Sequence, residues 1–140
     1  MPAGLTLGNW VTKGFACYSG AMTYAARFSN PAGKKQRLFL EIPEWQGVLL
    51  KVRVNGAEAG TVAWPPYEID LTDVAAPGAN RLEIEIVSSR RNLLGPLHLK
   101  EKLPGWTGWG QFIAGGDDIT ERYVSLPYGL MAPPVLSVRK

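Results

Sequence analysis

The sequence has little of what several classes of protein depend on: one cysteine, one histidine, no basic tract and no long apolar run. The single Cys17 excludes an internal disulfide, and its apolar surroundings predict a buried, unreactive thiol. No stretch approaches the ~20 apolar residues of a transmembrane helix, and residues 1–4 lack the features of a signal peptide. The net charge of +3 comes with basic pairs such as residues 90–91 instead of tracts, which argues against a nucleic-acid partner.

The composition favours one globular β domain. The chain has 140 residues, of which 46% are hydrophobic and 19% charged, a balance that supports a buried core and is not typical of disorder. Its 16 glycines and 11 prolines fit short strands joined by tight turns. No segment has a convincing helical period. We therefore expect a single domain over residues 1–140.

Residues 52–86 contain the clearest structural signals in the chain. An alternating apolar segment ends at residues 55–56, an Asn-Gly pair typical of a β-hairpin turn. Residues 65–66, Pro-Pro, must interrupt regular pairing because proline lacks the N–H that the ladder needs. A further alternating strand then leads to a turn at residues 77–80 and a last strand at residues 81–86. This order predicts a compact antiparallel unit.

Alternation of apolar and polar residues extends the prediction to the rest of the chain. Strands are predicted at residues 22–28, 38–42, 48–54, 67–72 and 81–86, with residues 123–126 and 134–139 closing the sheets. Each strand has one apolar and one polar face, as in two sheets packed face to face. By this alternation Tyr67 points into the core, and we expect Trp10 there as well.

The same motifs resemble a known family, the galactose-binding-like β-sandwich domains attached to glycoside hydrolases, including the sugar-binding domain of family 2 enzymes. The motifs that carry the resemblance are residues 52–56 (VRVNG), Gly60, residues 64–67 (WPPY), residues 70–72 (DLT), residues 77–80 (PGAN) and Asn92. Residues 15–24 and 123–130 also resemble strands in C-terminal domains of large bacterial glycosidases. The resemblance implies an antiparallel jelly-roll β-sandwich that belongs to a larger enzyme working outside the cell or in the periplasm.

The predicted strand directions place most aromatic and polar loop residues at one end of the sandwich. We call this the near end; it is where the strand at residues 22–28 begins, and the opposite end is the far end. Loops at residues 44–47, 64–66 and 88–92 lie at the near end, and the longest irregular stretch, residues 93–118, leaves from it. The far end receives mostly small turn residues. Binding residues are usually found on such loops of a rigid scaffold.

Sugar rings stack their C–H faces on indoles, and their hydroxyls bind guanidinium and amide groups. The candidate carbohydrate-binding residues are Trp106, Trp109, Trp64, Trp45, Arg90, Arg91 and Asn92. Each has an alternative role. The indoles could anchor loops or cover the core, the arginines could be solvated or form salt bridges, and the asparagine could stabilise a turn. For His98 a structural role is favoured.

No catalytic set is evident in the sequence. Glu83 and Glu85 share a strand face at about 7 Å, close to the carboxylate spacing of an inverting glycosidase, but an outer, solvated face explains them. Adjacent Asp117 and Asp118 lack the spaced partners of a calcium site, so a polar turn is favoured. We expect a non-catalytic accessory domain without a cofactor, whose partners are an oligo- or polysaccharide and the catalytic domain of the parent hydrolase. The alternative is a purely structural module that packs against that catalytic domain.

Overall fold

The regular secondary structure is almost entirely antiparallel β-strand in the computed structural model, which describes residues 6–102, 104–112 and 115–140. The strands are β1 (Ala21–Asn30), β2 (Arg37–Glu41), β3 (Trp45–Gln46), β4 (Leu49–Val54), β5 (Ala57–Val62), β6 (Glu68–Asp70), β7 (Gly78–Val87), β8 (Gly129–Leu130) and β9 (Val135–Arg139). Helical structure is limited to α1 (Arg91–Leu94) and the 3-10 turns Val11–Lys13 and Trp109–Phe112. None of these described helices has the length and apolarity needed to cross a bilayer.

The strands form two sheets and a short ribbon. The larger sheet has the order β1-β7-β4-β5, the smaller has the order β6-β2-β9, and β3 pairs with β8. All of these pairs are antiparallel. The hairpin between β4 and β5 turns at Asn55 and Gly56, whose φ values of 54° and 86° are those that an Asn-Gly turn provides. The predicted all-β antiparallel class is confirmed.

One hydrophobic cluster fills the space between the sheets. Its buried members from the two sheets are Leu38, Leu40, Leu50, Val52, Val54, Val62, Ile69, Leu82, Ile84 and Ile86. They alternate along each strand with more exposed residues, so one face of each sheet packs inward. Trp10 is fully buried in this core, as predicted, and its indole N–H donates to the Tyr24 hydroxyl at 2.8 Å.

Three local predictions are wrong. Cys17 is exposed, because it lies in the irregular segment before β1 and not inside a strand. Tyr67 is exposed, because β6 begins only at Glu68, after the Pro-Pro turn. Residues 123–126 are not a strand: the backbone of Leu126 bonds to the side chain of Asn92 and that of Val124 to the carbonyl of Leu97, in place of a sheet neighbour.

The far end is closed by an amide network that uses its polar side chains internally. Asn80 is buried, and its Oδ1 accepts from the Asn55 side chain at 2.8 Å and from the Ala76 N–H at 2.9 Å. Its Nδ2 donates to the carbonyls of Ala76 and Gly78. Asn55 Oδ1 accepts from the Arg81 N–H in turn. These amides therefore stabilise the far-end turns. Side chains that are available to a ligand are expected at the near end instead.

The outer face of the smaller sheet carries an ion-pair cluster centred on Arg139. Its guanidinium contacts Glu68 at 2.6 Å and Glu41 at 3.1 Å, and it lies over the Phe39 ring at 4.2 Å. A hydrogen bond from the Ser137 hydroxyl, followed by the bond from Arg139, lowers the pKa of Glu41. The bond from Arg139 also lowers the pKa of Glu68.

These lowered pKa values predict a loss of stability in acid. Both carboxylates stabilise the fold above the ordinary carboxyl pKa of about 4, and this contribution is lost as the pH falls through the lower folded-state pKa. Urea unfolding at pH 7 and at about pH 3 should show that Arg139→Gln loses less stability between the two than the wild type. Arg27→Gln, an exposed arginine on β1, is the charge-matched control. Equal losses in the wild type and Arg139→Gln would contradict the prediction.

Candidate functional site

The strand register places several predicted site residues at the near end. Ala21 and Leu49 both pair with Val87, and Leu50 pairs with Val62. These residues therefore mark the near-end strand termini of the larger sheet. The segments that continue beyond these strand termini contain Trp45, Trp64 and residues 90–92. The segment of residues 93–127 also starts at this end of the sandwich, and we call it the long loop.

Asn92 and Arg91 hold the long loop and do not face solvent as ligands would. Asn92 is 1% exposed, its Nδ2 donates to the carbonyl of Leu126 and its Oδ1 accepts from the Leu126 N–H, both at 2.8 Å. The Arg91 guanidinium donates from Nε to the carbonyl of Lys102 at 3.1 Å and from Nη2 to that of Pro96 at 3.0 Å. These bonds argue against the predicted contact of Asn92 with sugar, because its amide is used inside the protein. Arg91 is committed to the same structural task.

Trp45 covers the core. Its ring packs against the hydrophobic cluster and meets the Tyr67 ring edge to face, with centroids 5.6 Å apart. Its Nε1 is buried without a hydrogen-bond partner among the described residues. A half-buried indole with its polar atom turned inward offers little surface to a ligand. Arg90, in contrast, is exposed just before α1.

Three indoles remain open to solvent at the near end and in the long loop. Trp64, Trp106 and Trp109 are 80%, 77% and 82% exposed. The Trp106 ring lies over Gly108 so closely that a Cβ there would come within 2.3 Å of it. Gln111 fixes this turn by accepting from the Gly108 N–H and donating to the Trp106 carbonyl. The high exposure of Trp106 and Trp109 shows that neither indole is buried against the sandwich. No ring–ring contact within the described ranges joins either of them to Trp64.

The long loop also forms a groove that the sequence did not predict. It has a volume of about 660 Å³ and is lined by Gly95, Pro96, Leu97, His98, Gln111, Phe112, Gly115, Gly116, Ile119, Thr120, Glu121 and Tyr123. Tyr123 and Phe112 are 75% and 57% exposed. The rings of His98 and Tyr123 pack against each other at 4.8 Å. The only sequence signal was the high aromatic content of the near-end segments, because the groove depends on contacts between distant parts of the loop.

A short antiparallel ladder supports the groove. Leu99 is buried and bridges to Ile119, and the Thr120 N–H donates to the His98 carbonyl at 2.8 Å. His98 Nδ1 lies 3.0 Å from the Thr120 carbonyl oxygen. Because a carbonyl can only accept, Nδ1 carries the hydrogen, and Nε2 of the neutral ring keeps its lone pair. The structural role predicted for His98 fits this ladder.

The two carboxylates considered as a catalytic pair, Glu83 and Glu85, are engaged in ion pairs. Glu83 contacts Arg81 at 2.7 Å, and Glu85 lies 3.7 Å from Lys51 and 3.6 Å from Arg53. These pairs lie on the outer face of the larger sheet, away from the groove.

Asp117 and Asp118 are exposed at a turn. Within the described part of the chain, no group of three or more His, Cys, Asp and Glu residues comes together in a way that could hold a metal ion. The expectation that the domain works without a cofactor stays a prediction.

Comparison with known proteins identifies similar folds inside larger enzymes. No protein-family model and no curated protein matches the chain. A rhamnosidase from Novosphingobium sp. PP1Y matches 88% of this chain at 26% identity with a TM-score of 0.61. An FMN-binding β-glucuronidase from Facaelibacterium prausnitzii L2-6 and a GH2 β-galacturonidase from Eisenbergiella tayi match 97% and 98% of it, both at 20% identity, with TM-scores of 0.57 and 0.55.

This chain resembles a domain of glycoside hydrolases. It spans only 11%, 19% and 20% of the lengths of the three matched structures. The resemblance that the sequence motifs indicated is thereby confirmed at the level of fold. The activities in the names of these structures belong to those enzymes as whole proteins.

The internal role of Asn92 leads to a prediction about stability. Asn92→Ala removes both side-chain partners of the partly buried Leu126 backbone, which should lower the free energy of unfolding by about 1–3 kcal/mol. Urea denaturation followed by intrinsic tryptophan fluorescence measures this change. Arg90→Ala, at an exposed neighbouring position, is the control and should stay within about 0.5 kcal/mol of the wild type. Similar values for both variants would refute the structural role of Asn92.

Proposed function

We propose that the protein is a non-catalytic carbohydrate-binding accessory domain of a larger glycoside hydrolase. The observation that carries this proposal is the exposure of Trp64, Trp106 and Trp109 at the near end and in the long loop of a rigid β-sandwich. Exposed aromatic surface on the loops of a rigid scaffold is available for contact with a partner. Indoles suit the C–H faces of sugars because they are wide, flat and cost little side-chain entropy to fix.

The remaining polar candidate at the near end is Arg90, whose guanidinium is exposed. The other near-end candidates have structural roles in this proposal: Trp45 packs on the core, and Arg91 and Asn92 bond the long loop. A non-catalytic role agrees with the ion pairing of Glu83 and Glu85, since carboxylates engaged with Arg81, Lys51 and Arg53 on an outer sheet face are not arranged as a catalytic pair.

In this proposal the partners are an oligo- or polysaccharide and the catalytic domain of the parent hydrolase. Tethering a weak sugar-binding module to a hydrolase raises the local concentration of substrate near the active site. We place this function outside the cell or in the periplasm, where polymeric glycans are found, and assign it no cofactor.

A second candidate function, a structural module that braces the catalytic domain, is favoured by a different surface. An apolar channel of about 700 Å³ runs beside β1 and is lined by Leu7, Tyr24, Leu130, Pro133 and Pro134 together with neighbouring residues of β1 and β7. β1 is also an edge strand, so its outer backbone groups lack a ladder partner in the described sheet. A channel of this kind suits burial against another protein domain.

Affinity electrophoresis in gels containing soluble polysaccharides tests the preferred function. At least one polymer of a broad neutral and acidic panel should retard the protein, and Trp109→Ala or Trp106→Ala should weaken binding by about two- to tenfold through loss of stacking. Val48→Ala, which shortens another exposed apolar side chain, is the control and should leave retardation unchanged. If no polysaccharide in the panel retards the wild type, the carbohydrate-binding function is wrong and the bracing function gains.

A further inference from the structure

The groove in the long loop has the size and composition of a ligand site. Its volume of about 660 Å³ falls within the range of about 300–1,000 Å³ that is typical of small-molecule sites. The ladder at residues 97–100 and 118–124 contributes one set of lining residues, and the 3-10 turn Trp109–Phe112 contributes another. The backbone that borders the groove is therefore held by hydrogen bonds before any ligand arrives.

Aromatic rings from both elements line the groove. Tyr123 is largely exposed, and the neighbouring imidazole of His98 restrains its ring, so this aromatic surface is accessible and supported. Phe112, from the 3-10 turn, is also exposed. Gln111 restrains that turn through its bonds to Gly108 and Trp106. Two supported aromatic surfaces within one groove are suited to the C–H faces of a sugar ring.

The polar groups of the groove are mainly hydrogen-bond acceptors. The carboxylate of Glu121 can only accept, and Nε2 of a neutral His98 accepts because Nδ1 carries the hydrogen. The Thr120 hydroxyl can accept or donate, and the Gln111 amide keeps one N–H beyond the one given to Trp106. Acceptors of this kind suit sugar hydroxyls, each of which brings a hydrogen to donate.

The charge of the groove selects among sugars. Glu121 carries the only formal charge among its lining residues when His98 is neutral, and that charge is negative. No salt bridge within the described ranges pairs Glu121 with a cation. Arg91 lies next to the groove through Gly95 and Pro96. Its Nε and Nη2 donate to the carbonyls of Lys102 and Pro96, and its Nη1 is buried without a partner among the described residues. A sugar carboxylate in the groove would meet the like charge of Glu121, whereas the half-buried Arg91 guanidinium is not among the lining residues.

We infer that this groove is a binding subsite for a neutral sugar unit and discriminates against uronic acids. Tyr123 and Phe112 supply the apolar contacts, Glu121 and His98 accept hydrogen bonds from hydroxyls, and the charge of Glu121 repels a sugar carboxylate. The inference rests on the proposed carbohydrate-binding function and adds a place and a ligand class to it. The exposed indoles Trp106 and Trp109 then extend the site along the same loop.

Matched monosaccharide pairs that differ only at C6 test the inference on the full chain. D-galactose with D-galacturonate, and D-glucose with D-glucuronate, are titrated while backbone amide shifts are followed by NMR. In at least one pair, the neutral sugar should shift the amides at residues 97–99, 111–112 and 120–123. The acid of that pair should bind about fivefold more weakly or worse, as expected for one unscreened like charge.

Four variants assign the effect to individual groups. Tyr123→Ala should weaken binding of the neutral sugar by about tenfold, whereas Tyr123→Phe keeps the ring and should stay within about twofold of the wild type. Glu121→Gln should reduce the preference for the neutral sugar to about twofold or less. Glu101→Gln makes the same charge change at an exposed position outside the groove lining and should preserve the preference. Circular dichroism checks that each variant is folded, and if Tyr123→Ala is not, the glutamate variants and the shift map decide.

The failures of the two proposals can be told apart. If sugars shift only the amides around Trp64, Trp106 and Trp109, or if both members of every pair that binds do so equally, the groove inference is wrong while carbohydrate binding stands. Tighter binding of the uronates than of the neutral sugars would also show that the groove inference is wrong while carbohydrate binding stands. If neither the monosaccharides nor the polysaccharide panel bind, the proposed function itself fails and the groove inference fails with it.

Discussion

The buried amide of Asn92 is the interaction on which the near end depends. It pairs with both backbone groups of Leu126, so the beginning and the end of the long loop are held at one point above the sandwich. Arg91 adds two bonds to carbonyls within the loop. A loop of this length would otherwise lose much conformational entropy on forming a groove. With its ends fixed, the ladder around Leu99 and Ile119 can form, and the aromatic side chains are presented in a defined arrangement.

The sequence predicted the sandwich well because its signals are local. Alternation along β4 and β7 follows directly from the strand period of two, and the turn at residues 55–56 requires the positive φ values that Asn and Gly tolerate. The site was predicted less well because its geometry is non-local. An Arg-Asn pair beside a loop could equally face a ligand or the loop itself, and only the position of residues 96–102 and 126 decides. The groove has no periodic pattern, so nothing in the order of residues indicated its walls.

The fold resembles domains of glycoside hydrolases but does not identify a ligand. The matched structures are named as a rhamnosidase, a β-glucuronidase and a β-galacturonidase, yet a similar sandwich occurs in each. Under the proposed function, specificity would come from side chains on loops, which can change while the core is kept. In this chain the relevant loop contains Glu121 and no groove-lining arginine or lysine. Under the proposed function, the charge of Glu121 in the groove, and not the sandwich, is the feature that would distinguish neutral from acidic sugars.

The two candidate functions use different surfaces and so do not compete for the same residues. The groove is lined by described residues of the long loop between Gly95 and Tyr123. The apolar channel beside β1 is lined by residues from the N-terminal segment, β1, β7 and the segment from Leu130 to Pro134. The two surfaces also differ in chemistry, since the channel has few polar groups and the groove mixes aromatic rings with acceptors. A catalytic domain packed along the β1 channel would bury an edge strand that is otherwise open to unwanted pairing. It would leave the groove accessible, so bracing and sugar binding could operate in one molecule.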